Sequence, residues 1–224
     1  MRRGQDDGAG AMPEPELRET DEGLALVAGD LVLRGDFASM LPRLRPDRLG
    51  RELLVRAARV KGVAAPSVFD ATAGLGEDSM LLAAAGFAVT LCEHDTTISA
   101  LLRDALGRAT GDSRLAEAAG RMHVLEADSL EVLPGLSEAP DVVYLDPMFP
   151  ARTKSAAVKK KFQLLHLLEP PCDDAEELLR AAVAARPRKV VIKRPVKGPV
   201  LAGVKPSYSL AGKAVRYDVI VPPR

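Results

Sequence analysis

The sequence predicts an α/β protein with a mostly parallel sheet, closed at one edge by an antiparallel hairpin. Three observations point there. From residue 67 onward, short apolar runs alternate with segments of helical spacing, the pattern of βαβ units and therefore of parallel strands. The fourth run, Val142-Val143-Tyr144-Leu145, leads straight into Asp146-Pro147-Met148-Phe149-Pro150, a buried strand whose C-terminal end sets a carboxylate and a ring at the sheet rim. The tail carries two β-rich runs, Ser207–Leu210 and Val215–Val221, around Ala211-Gly212-Lys213, which reads as a hairpin.

Taken in order, residues 1–22 are polar, with Gly, Pro and charges and little to bury, and are expected to be a disordered leader. Residues 23–62 read as a small basic appendage. Leu24–Val27 and Leu31–Arg34 flank Ala28-Gly29-Asp30 as a β-hairpin, and Arg48 to Val60 has helical spacing that Lys61-Gly62 would end. Residues 63–224 form the main domain. Its expected strands are Ser67–Asp70, Ala88–Cys92, Met122–Leu125, Asp141–Leu145 and Lys189–Ile192. Helices are expected over Gly76–Ala85, Thr96–Ala109 and Asp174–Ala185.

The chain has 224 residues, enough for one domain with a full core. No apolar run approaches the ~20 residues of a membrane span, and no apolar stretch follows Arg2-Arg3 as a secretory signal would require. Two cysteines, Cys92 and Cys172, make neither a disulfide framework nor a zinc site. A cytoplasmic protein without metal or membrane partner is the expectation. The zero net charge hides a division: residues 1–150 carry 15 Lys+Arg against 25 Asp+Glu, residues 151–224 carry 16 against 6. Residues 34–61 run against their acidic surroundings, with eight basic groups and three acidic. Two basic segments on an otherwise acidic chain suggest a surface for a polyanion.

The first strand feeds Asp70-Ala71-Thr72-Ala73-Gly74-Leu75-Gly76-Glu77-Asp78. Gly74 and Gly76 permit a tight strand-to-helix turn and close approach of a ligand to backbone. Glu93 ends the second strand, where a carboxylate can accept from ribose hydroxyls. Asp128 follows the third strand, within reach of an adenine edge. A dinucleotide would set its pyrophosphate at the helix N-terminus, but that helix opens on Glu77 and Asp78, and Ser79 replaces the third glycine of a dinucleotide fingerprint. S-adenosylmethionine carries an ammonium and a sulfonium, which nearby carboxylates favour, so it is the expected cofactor.

The ordered set of Asp-x-x-x-Gly-x-Gly, acids after strands two and three, and Asp-Pro-x-Phe after strand four resembles class I methyltransferases, with their Rossmann-like sheet. More narrowly, residues 60–224 resemble the ribosomal small-subunit RNA methyltransferase J family. Four blocks carry the likeness: residues 70–76, Val143–Pro150, Lys154-Ser155-Ala156-Ala157-Val158-Lys159-Lys160 and Val191-Ile192-Lys193-Arg194-Pro195. The resemblance implies methylation of a guanine exocyclic N2 in 16S ribosomal RNA with S-adenosylmethionine. It places cofactor contacts at Glu77-Asp78, Glu93-His94, Asp128-Ser129 and Asp146, beside the Asp70–Gly76 turn that includes Thr72. The chain departs from the family in a shorter N-terminal part, in Arg45–Arg51 where a glycine-rich run is usual, and in Glu77 and His94 where basic residues are usual.

In that chemistry Asp146 is the expected hydrogen-bond acceptor for the amine, helped by the Pro147 carbonyl, while Phe149 stacks on the base. Arg48, Arg51, Lys154, Lys159, Lys160, Lys161, Lys193 and Arg194 are expected to meet RNA phosphates. Cys92 is read as core. Other substrates for an amine methyltransferase (another RNA, DNA or a protein amide) and a non-catalytic cofactor-binding protein associated with RNA are the alternatives.

Overall fold

The computed structural model describes residues 13–147 and 175–223. Three strands come first: β1 (Glu16–Thr20), β2 (Gly23–Ala28) and β3 (Leu31–Leu33), an antiparallel sheet in that order. Residues 1–12 of the leader expected over residues 1–22 lie outside the described residues; the expectation is corrected at Glu16–Thr20, which is a strand. All five of its residues are exposed, so composition alone gave it nothing to bury. Its order comes from backbone pairing, Glu16 opposite Val27 through Thr20 opposite Gly23, across a turn where Gly23 takes φ +108°.

A 3-10 turn (Ala38–Met40) and three short helices follow: α1 (Leu41–Leu44), α2 (Pro46–Leu49) and α3 (Leu53–Ala58). The single helix expected over Arg48–Val60 is two, because Glu52 is extended (ψ 125°). Its carboxylate is gripped by Arg43 through two bonds of 3.1 and 3.0 Å. That break lets Leu54, Val55, Ala57 and Ala58 turn into the main core. The N-terminal region is thus packed onto the rest: Leu26, Ala28, Leu31 and Leu33 share a buried cluster with Leu75, Ile98 and Leu101.

The main sheet has seven strands. β4 (Ser67–Asp70), β5 (Ala88–Glu93), β6 (Met122–Glu126), β7 (Val142–Leu145) and β8 (Lys189–Pro195) run parallel, while β9 (Tyr208–Ala211) and β10 (Val215–Ile220) form the antiparallel edge. The order is β6-β5-β4-β7-β8-β10-β9. The expected α/β class, with its C-terminal hairpin, holds. Alternation along β7 and β8 sends Val142, Tyr144 and Val191 to one face, under α4 (Glu77–Ala84) and α5 (Thr96–Gly111), which pack there with α6 (Ala116–Ala119). Val143, Leu145, Val190 and Ile192 go to the other, against Leu133 and α8 (Ala175–Ala184); α7 (Ser129–Val132) follows β6 on that side. The chain order reverses between β4 and β7, each beside the other at the sheet centre. Ligands of such sheets bind outside the strand C-termini at that switch point. Among the described residues no helix is long and apolar enough to cross a membrane.

Candidate active site

The loop after β4 is built from its own side chains. Asp70, 1 % exposed, accepts from the Thr72 amide (3.1 Å) and from Ser79 Oγ (2.5 Å). Ser79, which replaces a fingerprint glycine, is thereby the residue that ties α4 to the strand end. Gly74 (φ +52°) and Gly76 (φ +74°) turn the chain, but they do different work. A Cβ at Gly74 would meet nothing within 4 Å, so that backbone stands open to a ligand. A Cβ at Gly76 would lie 2.7 Å from Leu102 Cδ1. Gly76 is accordingly required for packing, whatever its backbone offers a cofactor.

Glu93, at the end of β5 and 3 % exposed, accepts from the Gly74 amide (2.8 Å) with one oxygen and from the Asp95 amide (2.9 Å) with the other. It joins the loops after β4 and β5, and each oxygen keeps a second lone pair for a hydroxyl. Burial pushes its carboxyl up, against those two amides. His94 is exposed, with Nδ1 3.5 Å from Glu93. Asp128 caps α7 through the Leu130 amide (2.8 Å) and Ser129 Oγ donates to Ala71 O (2.7 Å), which brings the loop after β6 to the same edge. Cys92 is buried and donates to Ala127 O (3.2 Å); burial raises its thiol, so it is a core residue.

Asp146 follows β7. Its amide donates to Thr72 Oγ1 (2.7 Å), so Thr72 joins the two central loops. Its carboxylate accepts from Lys193 Nζ (2.8 Å), and the same ammonium reaches Asp78 (2.7 Å). Asp78 also accepts from the Tyr144 hydroxyl (2.6 Å). Pro147 is buried beside Asp146. Phe149, Lys154, Lys159, Lys160 and Lys161 lie outside the described residues. Arg48 and Arg51 are exposed.

Lys193 and Arg194 do not sit where phosphates could be met. β8 runs on through Pro195 because β10 pairs with it to that point, so both residues are inside the sheet. Alternation turns Lys193 toward Asp78 and Asp146. Arg194 goes to the opposite face, where it is 2 % exposed and donates to Pro199 O (2.9 and 2.7 Å). Tyr144 and Lys193 were the site residues that sequence reasoning missed or misplaced. Their signal was the register that sets Tyr144 opposite Val191 and Leu145 opposite Ile192, one step before Asp146 and Lys193.

Burial lifts Asp70 to about 7, against its bonds from Ser79 and Thr72. A carboxyl that binds its proton more tightly folded than unfolded loses stability as pH rises from about 4 through 7. Asp70→Asn keeps an acceptor for Thr72 and gives Ser79 a donor. Its melting temperature is expected to vary less between about pH 5 and pH 8 than that of the wild type, with a gain at the upper end of the order of 2–4 kcal/mol. Thermal denaturation across that range checks this; parallel curves would refute it.

The crevice at these loops therefore gathers Asp70, Asp78, Glu93 and Asp146 around the open backbone at Gly74. Such a donor set fits a cationic methyl donor with ribose hydroxyls and repels a pyrophosphate. A hollow of about 300 Å³ bordered by Ser67, Ala88, His123 and Pro140 opens at the other end of the strands and shares none of these acids. Sheet order and acidic crevice together define a class I methyltransferase that uses S-adenosylmethionine. Comparison agrees: residues 16–222 match the family described as "Putative SAM-dependent methyltransferase". A SAM-dependent methyltransferase from Neisseria gonorrhoeae, known by crystal structure, is 32% identical with a TM-score of 0.77, covering 96% of this chain and 86% of that one. Ribosomal RNA small subunit methyltransferase J of Thioalkalivibrio sulfidiphilus is 45% identical over 204 residues, 88% of this chain and 80% of the relative. The protein of that name from Pseudomonas savastanoi pv. phaseolicola is 42% identical over 211 residues, 91% and 78% of the two chains. The chain belongs to the ribosomal RNA small subunit methyltransferase J family.

Proposed function

We propose that this protein methylates the exocyclic N2 of a guanine in 16S ribosomal RNA, working in the cytoplasm on the RNA or on the small subunit that contains it. The observation that carries this reading is Asp146. It stands at the switch point, tied by its amide to the cofactor loop through Thr72, with about a third of its side chain (35%) open to the crevice. The names of the relatives supply the RNA.

S-adenosylmethionine, when bound, supplies an electrophilic methyl group on a positive sulfur. Asp70, Asp78 and Glu93 give that cation an acidic wall, and Glu93, His94, Asp128 and Ser129 line the edges where ribose and adenine are expected. The N2 lone pair of guanine is delocalised into the ring, so the amine is a weak nucleophile. Asp146 accepts a hydrogen bond from its N–H, holds it in line, and takes the proton as the N–C bond forms and the C–S bond breaks. Pro147 offers its carbonyl to the second N–H. Phe149 stacks on the base, which has to leave any helix to be reached. Arg48 and Arg51, with Lys154, Lys159, Lys160 and Lys161, neutralise phosphates around that base.

The test is transfer of a tritiated methyl group to small subunits, and to naked 16S RNA, from cells lacking the gene, followed by digestion and nucleoside mapping. Incorporation as N2-methylguanosine at one position is expected. Label on adenine or on protein would redirect the substrate, and no label on any fraction would favour a binding protein without turnover.

A further inference from the structure

We propose that Lys193 is a positioning residue for Asp146: its sheltered ammonium bridges Asp78 and Asp146 and keeps the acceptor ionised and aimed at the crevice. The inference deepens the proposed reaction and rests on it for its kinetic arm. Three elements converge. Lys193 reaches from β8 to Asp146 after β7 (2.8 Å) and to Asp78 at the start of α4 (2.7 Å). All three side chains are sheltered, with 26%, 35% and 17% of their surfaces exposed. The bridge engages one oxygen of Asp146, Oδ2, and among the described residues no donor is bonded to the other, which a substrate N–H would use.

The surroundings would otherwise work against a charged acceptor. Asp78 faces Asp146 from α4, Asp70 adds a carboxyl from β4, and the Tyr144 hydroxyl from β7 donates to Asp78. Tyr217 lies opposite Lys193 on β10. Among the described residues, Arg43 on α1 and Arg194 on β8 are the other cations nearby. Two carboxylates brought together in a sheltered site do not both stay ionised without a cation between them. Burial pushes the Asp146 carboxyl above the ordinary carboxylate range and Asp78 adds to the rise, while Lys193 works against both. The lysine itself is favoured as the ammonium by both acids, which outweigh its burial. A cation so held is not a phosphate contact, and its removal acts through Asp146.

Lys193→Met is expected to lower kcat at neutral pH by about 10–100-fold, a part of the roughly 100–10,000-fold that a positioned acid–base group contributes. The KM for RNA and the salt dependence of RNA binding should stay unchanged. The lost rate is expected to return in part as pH rises and Asp146 loses its proton. Lys193→Arg should keep the wild-type pH profile. A readout independent of turnover comes from the Asp146 carboxyl carbon, followed by NMR in protein labelled with 13C-aspartate and assigned through Asp146→Asn. In Lys193→Met its titration midpoint is expected to lie higher than in the wild type, and adding Asp78→Asn is expected to move it back down. Identical Asp146 titrations in the wild type and Lys193→Met would overturn the proposal, as would a kinetic loss of equal size at every pH. Absence of methyl transfer by the wild-type protein would count against the proposed function and would leave the NMR result to decide the role of Lys193.

Discussion

An Asp146→Ala protein is expected to fold normally and to lose about 1,000-fold or more of its methyl transfer, within the usual range for removing a proton acceptor. The fold should survive because the structural bond at this position is made by the backbone: the Asp146 amide donates to Thr72 Oγ1, and alanine keeps that amide. Lys193 retains Asp78 as its partner, so no cation is stranded. What disappears is the acceptor that faces the crevice, and a guanine amine without one is neither oriented nor relieved of its proton. Asp146→Asn keeps an acceptor oxygen without the charge and should fall between alanine and the wild type. Single-turnover rates at saturating donor, with donor binding followed separately by calorimetry, check the prediction. Near-normal turnover in the alanine variant would remove Asp146 from the mechanism.

Gly76→Ala is expected to destabilise the protein by about 2–5 kcal/mol. Left-handed backbone costs a non-glycine residue about 1–2 kcal/mol, and Gly76 is held at φ +74°. Overpacking adds about 1–3 kcal/mol. The new methyl group would sit 2.7 Å from Leu102 Cδ1, 3.1 Å from Leu91 Cδ2 and 3.3 Å from Phe37 Cζ, and all three side chains are buried in the core. Against a total stability of about 5–15 kcal/mol, a loss of that size endangers the fold. Gly74→Ala carries the backbone penalty alone, since nothing lies within 4 Å of its added methyl group; about 1–2 kcal/mol is expected. Denaturant unfolding of the two variants side by side would reveal the difference, and equal losses would contradict the packing role of Gly76.

The contrast between these two glycines marks where sequence reading reaches its limit. Gly74 and Gly76 look alike in the run Ala73-Gly74-Leu75-Gly76, and only the arrival of Leu102, Leu91 and Phe37 beside Gly76 separates them. The strands were legible because burial on both faces leaves continuous apolar runs, as in Val142–Leu145, and the turn and its acids were legible because they adjoin strand ends. The strand at Glu16–Thr20 was not, since an exposed edge strand is held by backbone pairing that composition does not record. The break at Glu52 was hidden for a related reason: it depends on Arg43.

By itself, the order of residues determined the α/β class, the acidic cofactor turn and the carboxylate after the fourth main-sheet strand, because each depends on neighbours in the chain. Tertiary structure alone decided that Lys193 serves Asp78 and Asp146 and that Arg194 is buried on the other face. Both are consecutive basic residues in one strand, and their opposite fates follow from pleat and register: side chains alternate, and the pairing of β7 with β8 sets which of the two meets the acids.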